Sequence, residues 1–216
     1  MKRLKTKLAI SITATMLLLV LCALLVYERF FPLPKAPVGI WVYSEDASKS
    51  AGSLFGEWMG GRDLSDALEP VYVNVILRVG NDGTFDRSVD KESYENARNT
   101  LYENCALLLK EGISAHLEEL GMANEGPITD EEAEELINET VSTDSVAYLQ
   151  KALPDLVPTY EEYVKKYGNK GTYTVDKNMI AFGSSEAVKF LFDKDDLLLG
   201  EILYRRYEKK DEGGTK

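Results

Sequence analysis

The sequence has one histidine in 216 residues, His116, and two cysteines, Cys22 and Cys105. A tetrahedral zinc site built on histidine and cysteine needs four such ligands, so that chemistry is excluded and no metal or other cofactor is expected. A histidine-activated serine or cysteine nucleophile would have to use His116 as its base. That residue falls at the edge of the apolar stripe of a helical stretch, the place of a surface or boundary histidine. Cys22 lies inside an N-terminal apolar run, which leaves Cys105 without an intramolecular partner. A disulfide-stapled scaffold is therefore excluded, and the fold must be held by a core, for which about 180 residues suffice.

Positive charge is also scarce. The chain has 25 basic and 36 acidic residues, a net charge of −11. Four of the basic residues, Lys2, Arg3, Lys5 and Lys7, precede the apolar run, so 21 remain against 36 acids from Leu8 onward, a net of −15. Such a surface repels nucleic acid and anionic lipid headgroups, and no nucleic-acid partner is expected.

Residues 8–27 form a run of 20 without a charge. At helical rise it spans about 30 Å, the thickness of a bilayer's hydrocarbon core. The basic cluster before it and Glu28 after it predict a cytoplasmic N-terminus. A cleavable signal peptide needs a small-x-small site, but the nearby Ala23 has Leu21 two positions before it. A lipoprotein needs a small residue just before its cysteine, and Cys22 follows Leu19, Val20 and Leu21. The expectation is an uncleaved single-pass anchor in the plasma membrane, with the C-terminal domain outside the cytoplasm. Residues 1–7 form the cytoplasmic segment. Pro32, Pro34 and Pro37 make residues 28–37 a stiff spacer, and the tail 209–216 reads as disordered.

The domain, 38–208, reads as strands, then helices, then strands. Residues 38–44 and 71–79 are rich in strand formers, and Asn81-Asp82-Gly83 is a turn from which 84–87 returns. Residues 50–60 predict a short helix with Leu54, Trp58 and Met59 turned inward. From Asp90 the period becomes helical: Tyr94, Ala97, Leu101, Cys105, Leu108, Gly112 and His116 recur, with Leu109, Ile113, Leu117 and Leu120 widening the stripe. Thr129 and Glu132 form a capping box ahead of a helix whose face is Ala133, Leu136, Ile137 and Val141. A last helix follows Pro158. Strands resume at 171–175, 179–182, 188–192, 197–199 and 202–207. The sum is an α+β chain: the transmembrane helix, then a small antiparallel β-barrel of about eight strands, with a helical insertion (90–167) between strands three and four. Closure follows from the short links, because it removes exposed edges.

Gly39-x-Trp41 on the first strand resembles the G-x-W signature of lipocalins and lipocalin-like barrels. In that fold the tryptophan plugs the closed end and a basic residue from the last strand stacks on it. Arg205 or Arg206 occupies the matching place here. The series Asn81-Asp82-Gly83-Thr84-Phe85, Gly171-Thr172-Tyr173-Thr174-Val175-Asp176 and Phe192-x-x-Asp195-x-Leu197-x-Leu199 is similar to a group of exported bacterial lipocalin-like proteins. Members of that group often carry a helical insertion at the corresponding point. The resemblance covers 38–208 and implies a fold and a cell-surface setting rather than an activity.

Several side chains invite a chemical reading. Glu45, Asp46, Glu57, Asp63 and Asp66 flank the long first loop, where two facing acids about 5–9 Å apart would suit glycoside hydrolysis. Asp193, Asp195 and Asp196 fail the spacing of a calcium loop and fit a hairpin turn. Trp58, Tyr160, Tyr163 and Tyr167 could stack on a sugar or an apolar ligand, or form a face packed on the barrel. Asn138-Glu139-Thr140 is a glycosylation sequon of a kind that occurs by chance.

The bulky inward residues Val73, Val75, Leu77, Tyr173, Val175, Ile180, Phe190 and Phe192 can fill so small a barrel. The expected function is a non-catalytic, membrane-tethered binding domain. It would contact a protein or a component of the cell envelope through the insertion and the mouth loops. The alternatives are a carrier or sensor of a small apolar ligand or saccharide and, more remotely, a carboxylate-dependent hydrolase.

Overall fold

The segment Tyr72–Val79 buries Val73, Val75, Leu77 and Val79 and turns Tyr72 and Arg78 to solvent. A period of two puts one face of a strand on a core. In the computed structural model, which describes residues 16–22, 35–121 and 127–207, this segment is β2 of a closed barrel. The strands are β1 (Gly39–Asp46), β2 (Tyr72–Val79), β3 (Thr84–Val89), β4 (Asn169–Asp176), β5 (Met179–Phe182), β6 (Val188–Phe192), β7 (Asp196–Leu199) and β8 (Ile202–Arg206). Each pairs antiparallel with the next, and β8 returns to β1 through Trp41↔Arg206 and Val42↔Arg205. The β2–β3 turn is fixed locally: Asp82 Oδ1 accepts from Thr84 N at 3.0 Å and Oγ1 at 2.6 Å, and Gly83 supplies a φ of 83°.

One helix, α1 (Ser48–Trp58), joins β1 to β2. Four others, α2 (Lys91–Glu119), α3 (Asp130–Val141), α4 (Ser145–Ala152) and α5 (Tyr160–Tyr167), lie between β3 and β4. Their starts are capped by side chains. Asp90 accepts from Ser93 N, Asp144 accepts from Ala147 N, and both Thr129/Glu132 and Thr159/Glu162 complete capping boxes. The Thr129 box matches the sequence expectation; α4 was not anticipated.

Two apolar clusters result. One fills the barrel around Trp41, Leu77, Ile180, Phe190, Leu197 and Tyr204. The other packs α1, α2, α4 and α5 against Val73 and Val89 at one end of β2 and β3.

Packing expectations need correction in α1 and in β6. In α1 the inward face is Ser48, Ala51, Gly52, Phe55 and Gly56, while Leu54 and Trp58 are exposed. The reason is the close approach of the 62–65 backbone: a Cβ at Gly52 would meet Leu64 O, and one at Gly56 would meet Arg62 O. Only the glycine face tolerates that approach. Phe192 stacks on Phe190 at 6.0 Å between centroids, but it lies at the strand end and is exposed rather than buried.

Residues 16–22 are helical with exposed side chains. The rest of the run 8–27, most of the spacer 28–37, Gly126 and the tail 209–216 lie outside the described residues. Among the described residues, no helix is long and apolar enough to cross a membrane.

Candidate functional site

The barrel's interior is occupied by its own side chains. Trp41, Leu77, Ile180, Leu197 and Tyr204 are buried, and Phe85 packs edge-to-face on Phe182 at 4.8 Å. At the Trp41 end, the indole Nε1 donates to Pro37 O at 2.7 Å, and the Arg206 guanidinium lies 5.2 Å from the ring centroid. Arg206 also donates from Nη1 to Lys194 O at 3.0 Å. Gly39 has a φ of 150°, and a Cβ there would stand 3.1 Å from Arg206 Nη2. The glycine thus admits the guanidinium over the indole. Alternation decides between the two arginines: Arg206 is opposite Trp41 and shares its face, whereas Arg205 is opposite Val42 and faces outward.

At the other end, α5 covers the barrel mouth. Tyr160 donates to Val89 O at 3.2 Å, and Tyr163 is buried, which pushes its hydroxyl up to about 12. Rings follow one another at 5.5–6.5 Å from Tyr160 through Tyr94, Tyr163, Tyr167 and Tyr43 to Tyr204. Two polar links fix α5 to the barrel. Arg87 Nε donates to Tyr167 O at 2.7 Å, and Lys166 Nζ donates to Glu45 Oε1 at 2.9 Å. Glu45 Oε2 is buried without a hydrogen-bond partner among the described residues. Tyr160, Tyr163 and Tyr167 therefore sit together in the packed face between helix and barrel.

Trp58 is elsewhere. It stacks on Phe55 at 5.8 Å, leans on Tyr148 at 6.2 Å, and is 38% exposed. It forms one wall of an open apolar groove of about 330 Å³ in the helical insertion. The floor is Leu109, Ile113 and Leu117 on α2, and the far wall is Leu136, Ile137 and Val141 on α3, with Tyr148 of α4 at one side. The groove exists because α2 outruns its neighbours. At 29 residues it is about 43 Å long, yet its buried residues end at Leu109. The sequence pattern extends the apolar stripe to Leu120, but nothing in the described structure covers that last stretch: Leu120 and His116 are exposed. Leu136, expected on the packed face of α3, is 41% exposed on the groove wall.

A polar network linking α2, α3 and α4 holds these helices together. Glu134 on α3 accepts from Ser145 N and Oγ, each at 2.7 Å, and pairs with Lys110 of α2 at 3.6 Å. Burial alone would raise its carboxyl, but the Ser145 hydrogen bonds and the Lys110 charge outweigh it and hold the group below its ordinary value.

Two of the loop acids, Asp46 and Asp63, have local structural partners. Asp46 Oδ1 accepts from Ser48 N and Oγ, and Asp63 accepts from Ser65 N; hydrogen bonding by the Ser65 side chain, and next by its backbone, lowers the Asp63 pKa. Asp193 Oδ1 accepts from the backbone of Asp195 and Asp196 in a tight turn. No group of three metal-ligating side chains is found among the described residues. A second depression, about 660 Å³, runs along the outer face of β1 and β2. It is lined by Val42, Ser44, Asn74 and Ile76, with Asp196 and Arg205 at its border.

Sequence reasoning singled out Trp58 but not the groove beside it. The available signal was an apolar stripe on α2 longer than any neighbour could cover. No protein-family model, curated protein or solved structure matches the chain significantly.

Proposed function

We propose that the protein is a non-catalytic binding domain of the lipocalin-like barrel type, tethered to the outer face of the plasma membrane through residues 8–27. The observation that carries this reading is the open apolar groove of about 330 Å³ on the insertion, walled by Trp58 and Leu136, beside a barrel filled by side chains. Apolar side chains gathered in one open concavity favour a contact surface. The barrel serves as the scaffold and the α2–α3–α4 region as the contact surface. The engagement of Asp46 and Asp63 in local hydrogen-bonded turns also supports a non-catalytic role, because an acid serving a turn is not free to act on a substrate.

Site-specific photocrosslinking in the intact host tests this. A photoreactive residue at position 136 is expected to give a discrete adduct. The same residue at position 191, an exposed leucine on β6, is expected to give none. Equal labelling at both positions, or none at 136, overturns the reading. The tether predicts that the full chain stays with membranes through an alkaline wash, and that external protease removes the domain from spheroplasts.

A further inference from the structure

We infer that the groove receives the apolar face of a basic amphipathic helix from a partner protein. The inference rests on the binding reading above and adds the chemistry of the occupant.

Shape comes first. From Leu109 to Leu117 the floor covers nine residues of α2, whose eight steps of rise span about 12 Å or two helical turns. An open trough of that length matches the reach of anchors at i, i+4 and i+7 on an incoming helix. Its walls, Trp58 and Leu136, already stand exposed. The tryptophan supplies the large rigid surface typical of an interface anchor.

Charge then selects among occupants. Residues 91–152 contain 14 acids and 4 basic residues, a net of −10, close to the −11 of the whole chain. On α3 alone there are six acids and no basic residue. Glu57 next to Trp58, Glu118 next to Leu117, and Glu135 and Glu139 beside Leu136 and Thr140 are all exposed. An apolar trough with an acidic rim repels a fatty-acid carboxylate, an anionic lipid and an acidic peptide. It equally repels a second copy of the same region. A helix with leucine-type residues on one face and lysines or arginines on the other satisfies both floor and rim.

The test uses the full chain in nanodiscs of zwitterionic lipid, with empty nanodiscs as the blank and Trp58 emission as the signal. Three tryptophan-free synthetic peptides are titrated: an amphipathic leucine/lysine helix, the same peptide with glutamate for lysine, and a scrambled leucine/lysine sequence of equal composition. The first is expected to bind one to one with a blue shift that is absent in Trp58→Phe, and to weaken as salt is raised. The double variant Glu135→Lys/Glu139→Lys should weaken it about tenfold. Leu136→Ser, at an exposed position, should weaken it without unfolding the chain, as checked by circular dichroism.

Equal binding of the acidic peptide overturns the basic-partner inference. So does equal binding of the scrambled peptide, which would mark charge attraction without a helical face. Binding of the neutral dye Nile red at Trp58 with no binding of the basic helix overturns the inference and leaves the binding reading standing. Failure of every apolar probe to reach Trp58 overturns both.

Discussion

The Arg206 guanidinium lies 5.2 Å from the centre of the Trp41 ring, and Gly39 leaves the space that lets it approach. The contact joins the first strand to the last at the point where the barrel closes. Removing it in Arg206→Ala should cost about 1 kcal/mol, the scale of a cation–π contact at a partly solvated site. Arg205→Ala, on the opposite face, should change stability by less than about 0.5 kcal/mol. Urea unfolding of the two variants side by side checks this; equal effects would refute the assignment. Gly39→Ala should also destabilise, since it adds strain at a φ of 150° and crowds the guanidinium.

These residues also mark how far the sequence could be read. Strand alternation, the Asp82-Gly83 turn and the Thr129/Glu132 box are written in neighbouring residues, so they were legible. The choice between Arg205 and Arg206 was not, because it depends on register with a strand some 160 positions away. The inward face of α1 was misread because hydrophobicity favours Leu54 and Trp58, whereas the loop at 62–65 demands glycine. Helix α4 has a clear cap in Asp144 but only eight residues, too short for a periodic signal. The groove was out of reach for another reason: it is defined by which neighbours fail to cover α2.

Glu134 links α2, α3 and the start of α4, and its carboxyl is held below the ordinary value of 4.5. A group with a lowered folded pKa contributes stability that is present above the unfolded value and lost as pH falls through the folded one. Glu134→Gln should therefore lower stability by about 1 kcal/mol at pH 7. The gap to wild type should close as pH is taken below about 4.5. Thermal unfolding at neutral and acidic pH reads both values, and a gap that persists in acid would contradict the role.

The Lys166–Glu45 pair holds α5 over the barrel mouth at 2.9 Å. Its members differ in setting, with side chains 63% and 19% exposed. Lys166→Met strands a mostly buried carboxylate, one oxygen of which already lacks a partner, so it should destabilise more than Glu45→Gln. Because the lysine is largely solvated, the coupling in a double-mutant cycle should stay at or below about 1 kcal/mol. A coupling several times larger would mean that the pair is better shielded than this geometry allows.

Cys105 is buried in the helical core, and burial pushes its thiol from 9.0 up to about 12. In Cys22→Ser, the remaining thiol should not react with Ellman's reagent while the chain is folded, and should react fully in denaturant. The same shift makes stability depend on alkaline pH. Below pH 9 the thiol is protonated in both states. Between 9 and 12 only the unfolded chain loses the proton, so stability falls by about 1.4 kcal/mol per pH unit for this group. Tyr163, pushed from 10.0 to about 12, adds a fall of the same sign that starts one unit higher. Tyr167 is also pushed up to about 12 by burial, so Cys105→Ala should flatten the curve between pH 9 and 10 and leave the two tyrosines' shared part of the decline above 10. Urea unfolding free energies from pH 8 to 11 separate the thiol from the tyrosines. An unchanged curve in Cys105→Ala would show that the thiol ionises as readily in the folded core as in water.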